Sequence, residues 1–201
     1  AVVTSSGAGL SVADDLDPGL TIPASLRDSL MSRLDRLHGA KPLAQVAAVI
    51  GRQFDRGLLA LVAGLPGEEI DRGIEELVAS ELVSADPDAP VASFVFRHAL
   101  IQDAAYESLL HVRRREIHGR LVLVLEDSFP EIVARHPELL AHHCMHARLT
   151  RKAADYLERA AEEASSRYAG PEAVAHLDVA IQLLGELPDS EERLQRLHGL
   201  Q

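Results

Sequence analysis

Three stretches of this 201-residue chain combine residue types at spacings that could do chemistry. The first is LVLVLEDS, residues 121–128, an apolar run ending in an acidic pair like the strand and carboxylates that hold magnesium in a Walker B motif. A nucleotide site also needs a phosphate-cradling loop ending in Gly-Lys-Ser/Thr. The chain has only two lysines, Lys41 and Lys152, and neither follows a glycine. Ile117, Leu121, Val124 and Leu125 also share one face of a helix running from Arg113, so the segment reads as helix.

The second stretch is HPELLAHHCMH, in which His136, His142, His143, Cys144 and His146 crowd together. His142 and His146 stand one helical turn apart, a spacing that zinc ligands use. No HExxH and no paired CxxC supplies further ligands, so a solvated or packed helix without metal is expected. The chain also lacks a GxSxG elbow, and no constellation for catalysis is present.

The third stretch is SFVFRHALIQDAAYESLLHVRRREIHGRL, residues 93–121. Arg97 and His98 stand where an extended segment gives way to a helix. A helix N-terminus attracts anions, and Arg and His there add donors. Arg113, Arg114 and Arg115 fit a solvated helix start beside Glu116; the alternative is a docking patch for an acidic domain or a nucleotide phosphate. Between these charged groups, Leu100, Ile101, Ala104, Ala105, Leu109 and Leu110 are expected in a core.

Composition bounds what these groups can serve. Hydrophobic residues make up 47% and charged residues 25%, the balance of a globular protein. Aromatics are 3% with no Trp, so cores must be built from Leu, Val, Ile and Ala, which suits close-packed helices. Net charge is −11, which repels phosphate backbones, although residues 97–120 carry five Arg against three acids. The single Cys144 forms no internal disulfide; with no leader pattern and no long apolar run, a cytoplasmic setting away from membranes is expected.

The elements that position these residues can be read from period and punctuation. Residues 1–24 have the composition of a linker or extended segment. Ser25 with Asp28 resembles a capping box, and Leu26, Leu30, Leu34 and Leu37 then mark a helix face ending near Gly39. Pro42 opens a second helix that Gly51 terminates, residues 55–63 form a third, and Ile70, Ile74, Leu77, Val78 and Leu82 mark a fourth. LVSADPDAPVASFVF, with β-formers at both ends and turn residues at its centre, predicts a hairpin. Helices followed by a hairpin are the winged-helix arrangement. The helix before the wing carries Glu68, Glu69, Asp71, Glu75, Glu76 and Glu81 against Arg72, a charge that opposes DNA binding.

Helices are then expected over 98–110, 113–128 and 137–147, and a pair over 151–168 and 171–185. The pair carries Leu157, Ala160, Ala161, Ala164, Tyr168, Ala173, Leu177 and Ala180, small and large residues placed much as in a tetratricopeptide hairpin, with Pro188 later than that repeat's closing proline. One such unit does not bury its own face, so further repeats are expected to follow. The fold class expected is mainly α: a winged-helix domain over 25–110, then a helical, tetratricopeptide-like domain over 111–201.

IPASLRDSLMSRLDRL, VAAVIGRQFDRGLLALVAGL, FRHALIQDAAYESLL and PELLAHHCMHA occur in this order in the chain. It thereby resembles, from Ile22 to Gln201, large bacterial signalling proteins that join a class III adenylate/guanylate cyclase domain to an AAA-like STAND ATPase and a tetratricopeptide array. Neither the cyclase nor the ATP-binding core lies in these residues. The resemblance implies a non-catalytic regulatory module, with ATP or ADP and Mg bound elsewhere in the parent protein. Its partners would be an upstream ATPase domain, downstream repeats and proteins held by those repeats. In the STAND class a Met-His-Asp motif follows the wing, and its His touches the nucleotide phosphate. That resemblance makes His98 a candidate phosphate sensor with Arg97 at the Met position, while Ala99 stands where the Asp would be. The structural alternative is that His98 merely starts a packed helix, and the functional alternative for the whole chain is a DNA-binding winged-helix transcriptional regulator.

Overall fold

The computed structural model describes residues 24–37 and 39–187, the side chains of 24–28 excepted. The expected linker before residue 24, the Ser25–Asp28 capping box, Leu26 and Pro188 lie outside what is described. The described residues form ten helices and one three-stranded sheet, so the protein is mainly helical. The chain divides into two compact units after Arg113.

In the first unit the helices are α1 (Ala24–Asp35), α2 (Lys41–Ile50), α3 (Arg56–Ala63), α4 (Gly67–Ala79) and α5 (Ala99–Glu107). Helix α2 is central, packing on α3, α4 and α5, while α1 also lies on α5. Its residues Leu43, Ala44, Ala47, Ala48, Val49 and Ile50 are all buried, because Pro42 sets the first turn and an apolar stripe repeats every three to four residues. Gly73 of α4 is buried against it, where a Cβ would stand 2.6 Å from Leu43 Cδ2. Gly51 ends α2 at φ 152°, a backbone that side chains disfavour. Full burial of a Leu such as Leu34, Leu59 or Leu77 contributes about 1.5–3 kcal/mol each.

The expected hairpin forms from β2 (Val83–Asp86) and β3 (Ser93–Phe96), but a third strand, β1 (Gln53–Asp55), completes the sheet in the order β1-β3-β2. Both pairings are antiparallel, with Phe54 opposite Phe94 and Val83 opposite Phe96. Three residues between two helices are too short to show an alternating period. What holds them extended is the packing of Phe54 on Phe96, with ring centroids 5.6 Å apart, together with the ladder to β3. The last strand residue, Asp55, accepts a hydrogen bond from Leu58 N at 2.8 Å and so caps α3.

The second unit holds α6 (His111–Ser128, whose first turn precedes the boundary), α7 (Pro130–Arg135), α8 (Pro137–His146), α9 (Thr150–Ser166) and α10 (Gly170–Gly185). Residues 121–128 are helical, as the apolar face required, and α7 is a helix that periodicity does not reveal because it is only six residues long. Helix α9 packs on both α8 and α10. Ala161, Ala164 and Ala173 form the α9–α10 seam with Ala169 and Leu177 against them. The turn between these helices is a Schellman closure: Ala169 N donates to Ala164 O at 2.9 Å, and Tyr168 adopts φ 62°. That backbone turns Tyr168 outward, 98% exposed, so its expected place on the packed face is corrected. Leu110 is likewise exposed rather than in the core, because α5 has already ended at Glu107.

Candidate functional site

Arg97 and His98 occupy the step from β3 to α5, between buried Phe96 and buried Ile101. The backbone there is pinned: Arg97 N donates to Leu82 O at 3.1 Å, and Ile101 N donates to His98 O at 3.0 Å. His98 is the N-cap of α5 in extended geometry (φ −135°, ψ 140°), with no side-chain capping bond. Both residues are exposed, so this hydrogen-bonded step presents an imidazole and a guanidinium to solvent. Such a pair can meet an anion.

Helix α4, before the hairpin, exposes Glu68, Glu69, Asp71 and Glu75 beside Arg72. Asp71 is also engaged by Arg56, whose Nε and Nη2 donate to its two oxygens at 2.6 and 2.7 Å. This bidentate pair holds the Asp71 carboxyl below its ordinary range and joins α3 to α4.

The arginine run opens α6. Arg115 Nε donates to Ala147 O at 3.2 Å, which ties the start of α6 to the end of α8.

Farther along the same helix, His118 is buried at 1% exposure and meets His143 of α8, also buried at 3%. Their Nδ1 atoms lie 2.9 Å apart. One ring must donate and the other accept, so two imidazolium ions are incompatible with the bond. His146 stacks on His118 with centroids 4.8 Å apart and packs on His142 at 4.3 Å. The His146 Nδ1 also lies 2.9 Å from the carbonyl of His142. Burial, then His146, His142 and Arg114, push the His118 imidazole down to about 3. Burial and His146 push His142 down to about 4, and His143 falls well below its ordinary value for the same reasons.

The expected His136–His146 grouping is thus divided by the fold. His136 pairs with Glu138 at 3.1 Å, while His142, His143 and His146 join a partner that spacing did not reveal. The signal for His118 is its place at i−3, i−4 and i−7 from buried Leu121, Val122 and Leu125, a histidine on the apolar face of a helix. Among the described residues, no three His, Cys, Asp or Glu side chains are placed to hold one metal ion.

On the same helix, Glu126 from the LVLVLEDS stretch accepts both Lys152 Nζ, at 2.9 and 2.7 Å, and the Tyr156 hydroxyl at 2.9 Å. The carboxylate serves as a joint between α6 and α9. Buried Cys144 lies nearby; burial first, then the Glu126 charge, push its thiol up to about 12. A thiol so held is a packing group and not a nucleophile.

Among the described residues no helix is long and apolar enough to cross a membrane. The chain is similar to an uncharacterized protein of Rhizobium meliloti (strain 1021), with 29% identity over 163 residues. The match covers 81% of this chain but only 16% of that much longer protein. No family model and no solved structure matches the chain.

Proposed function

We propose that this chain is a non-catalytic regulatory module of a multidomain signalling ATPase, coupling the nucleotide state of an upstream domain to a helical repeat array and an output domain. The observation that carries this reading is the outward-facing Arg97–His98 step, which follows the order α2-β1-α3-α4 and the β2–β3 hairpin; such an order supports a winged-helix reading. A phosphate held by a neighbouring domain would meet both donors, and its loss on exchange would release the unit. The α9–α10 hairpin with its alanine seam supports a tetratricopeptide-like role. Val174 of α10 is an exposed apolar residue of the kind a neighbouring repeat helix would cover.

In the full-length protein, His98→Ala is expected to weaken ADP retention or change the output activity. Unchanged nucleotide affinity together with unchanged output removes the sensor role. The DNA-binding alternative is opposed by the exposed carboxylates of α4. Binding of this chain to duplex DNA at low salt, with a steep salt dependence, would restore it.

A further inference from the structure

We propose that His118, His142, His143 and His146 form a proton-sensitive latch between α6 and α8, closed at neutral pH and released in mild acid. The inference stands apart from the regulatory reading above, since it concerns only how two helices of the second unit are held.

Geometry makes the latch. His118 of α6 and His143 of α8, 25 positions apart in sequence, share one Nδ1–Nδ1 hydrogen bond in a buried setting. That bond survives with both rings neutral and is lost when both are charged, because an imidazolium has no acceptor. His142 and His146 pack around them, ring on ring, with centroids 6.2 and 4.8 Å from His118 and 5.2 Å between His142 and His143. A proton on His118 or His143 is therefore placed beside neighbouring imidazoles in a buried setting, and a second proton there meets the charge of the first.

Burial and the positive groups acting on His118, His142 and His143 oppose their charging. From α6, Arg114 acts on His118; from α8, the imidazoles act on one another. Helix α9 brings Lys152 and Asp155 to act on Cys144, and Lys152 is engaged with Glu126. Between α7 and α8, Glu138 is paired with His136.

The sign follows from burial. His118, His142 and His143 hold protons less well in the closed form than the ordinary 6.5 at which they titrate when released. Their contribution to the closed form is complete above that value and is lost as pH falls from it toward 4 and 3. Each group that is neutral only when closed shifts the opening equilibrium about tenfold one pH unit below its released value, so three amount to ~1000-fold near pH 5.5. Between about pH 7.5 and 5.5 carboxylates with ordinary values remain ionised, which leaves histidine as the side-chain type that responds there.

The test is hydrogen–deuterium exchange of the whole chain at pH 7.5 and 5.5, corrected for intrinsic rates. Amides of α6 and α8 should open at least tens of times more readily at the lower pH, while α2 and α5 of the first unit should change far less. Equal changes in both units overturn the latch. In His118→Leu/His143→Leu, which removes both partners together, the extra acid response should shrink by about the factor carried by two histidines; a full response retained also overturns it. Should that variant not fold, NMR titration of the imidazole rings in the unaltered chain decides. Rings of His118 and His143 that stay neutral to pH 5 in the folded chain support the latch, and titration of either near 6.5 without opening sinks it.

Discussion

Tyr156 donates its hydroxyl to Glu126 Oε1 at 2.9 Å, and the same carboxylate receives Lys152. Burial first, then this bond and the Glu126 charge, push the phenol up to about 12. In a spectrophotometric titration the Tyr156 phenol should ionise only near pH 12. The raised value means its contribution to folding is whole below 10 and is lost as pH rises toward 12. Tyr156→Phe should cost about 0.5–1.5 kcal/mol in urea unfolding at pH 7. A variant as stable as the parent would show that water replaces the hydroxyl at no cost.

Cys144 is the chain's single cysteine and is fully buried, with its thiol pushed up to about 12. The thiolate is the reactive species, so the folded chain should give almost no reaction with a thiol reagent at pH 8, and one equivalent after denaturation. Prompt stoichiometric labelling of the folded chain would contradict the packing around α8.

Asp55 ends β1 and caps α3 through Leu58 N at 2.8 Å. Asp55→Ala should lose about 1 kcal/mol by thermal unfolding, and Asp55→Asn, which keeps an acceptor, should lose less. Equal losses in the two variants would mean that the charge, and not the cap, is what matters.

At the contact of α2 with α4, a Cβ on Gly73 would meet Leu43 Cδ2 at 2.6 Å. Alanine gains ~1 kcal/mol over glycine inside a helix, whereas overpacking a core costs about 1–3 kcal/mol, so Gly73→Ala should be net destabilising. A raised melting temperature would show that Leu43 swings clear.

Much of the helical frame was legible because each long helix repeats an apolar residue every three to four positions and is closed by Pro, Gly or a change of period. Leu30, Leu34, Ile70, Ile74 and Leu77 are buried as that pattern requires, and the hairpin was announced by β-formers flanking turn residues. The candidate step at Arg97 and His98 could be placed at the start of α5 for the same reason. Strand β1 was not legible, since three residues carry no period and are extended only because β3 pairs with them. Tyr168 looked like a packing residue by spacing, but a left-handed closure at the helix end turns it to solvent.

Charge, the two lysines without a phosphate loop, and the acidic face of α4 were determined by the sequence alone, because composition and local order do not depend on distant contacts. The tertiary structure alone decided the partners of polar groups. Bringing His118 to His143 across 25 positions, and Glu126 to Tyr156 across 30, requires α6 to lie beside α8 and α9. No local spacing encodes that approach, because it is the burial of separate apolar faces that draws these helices together.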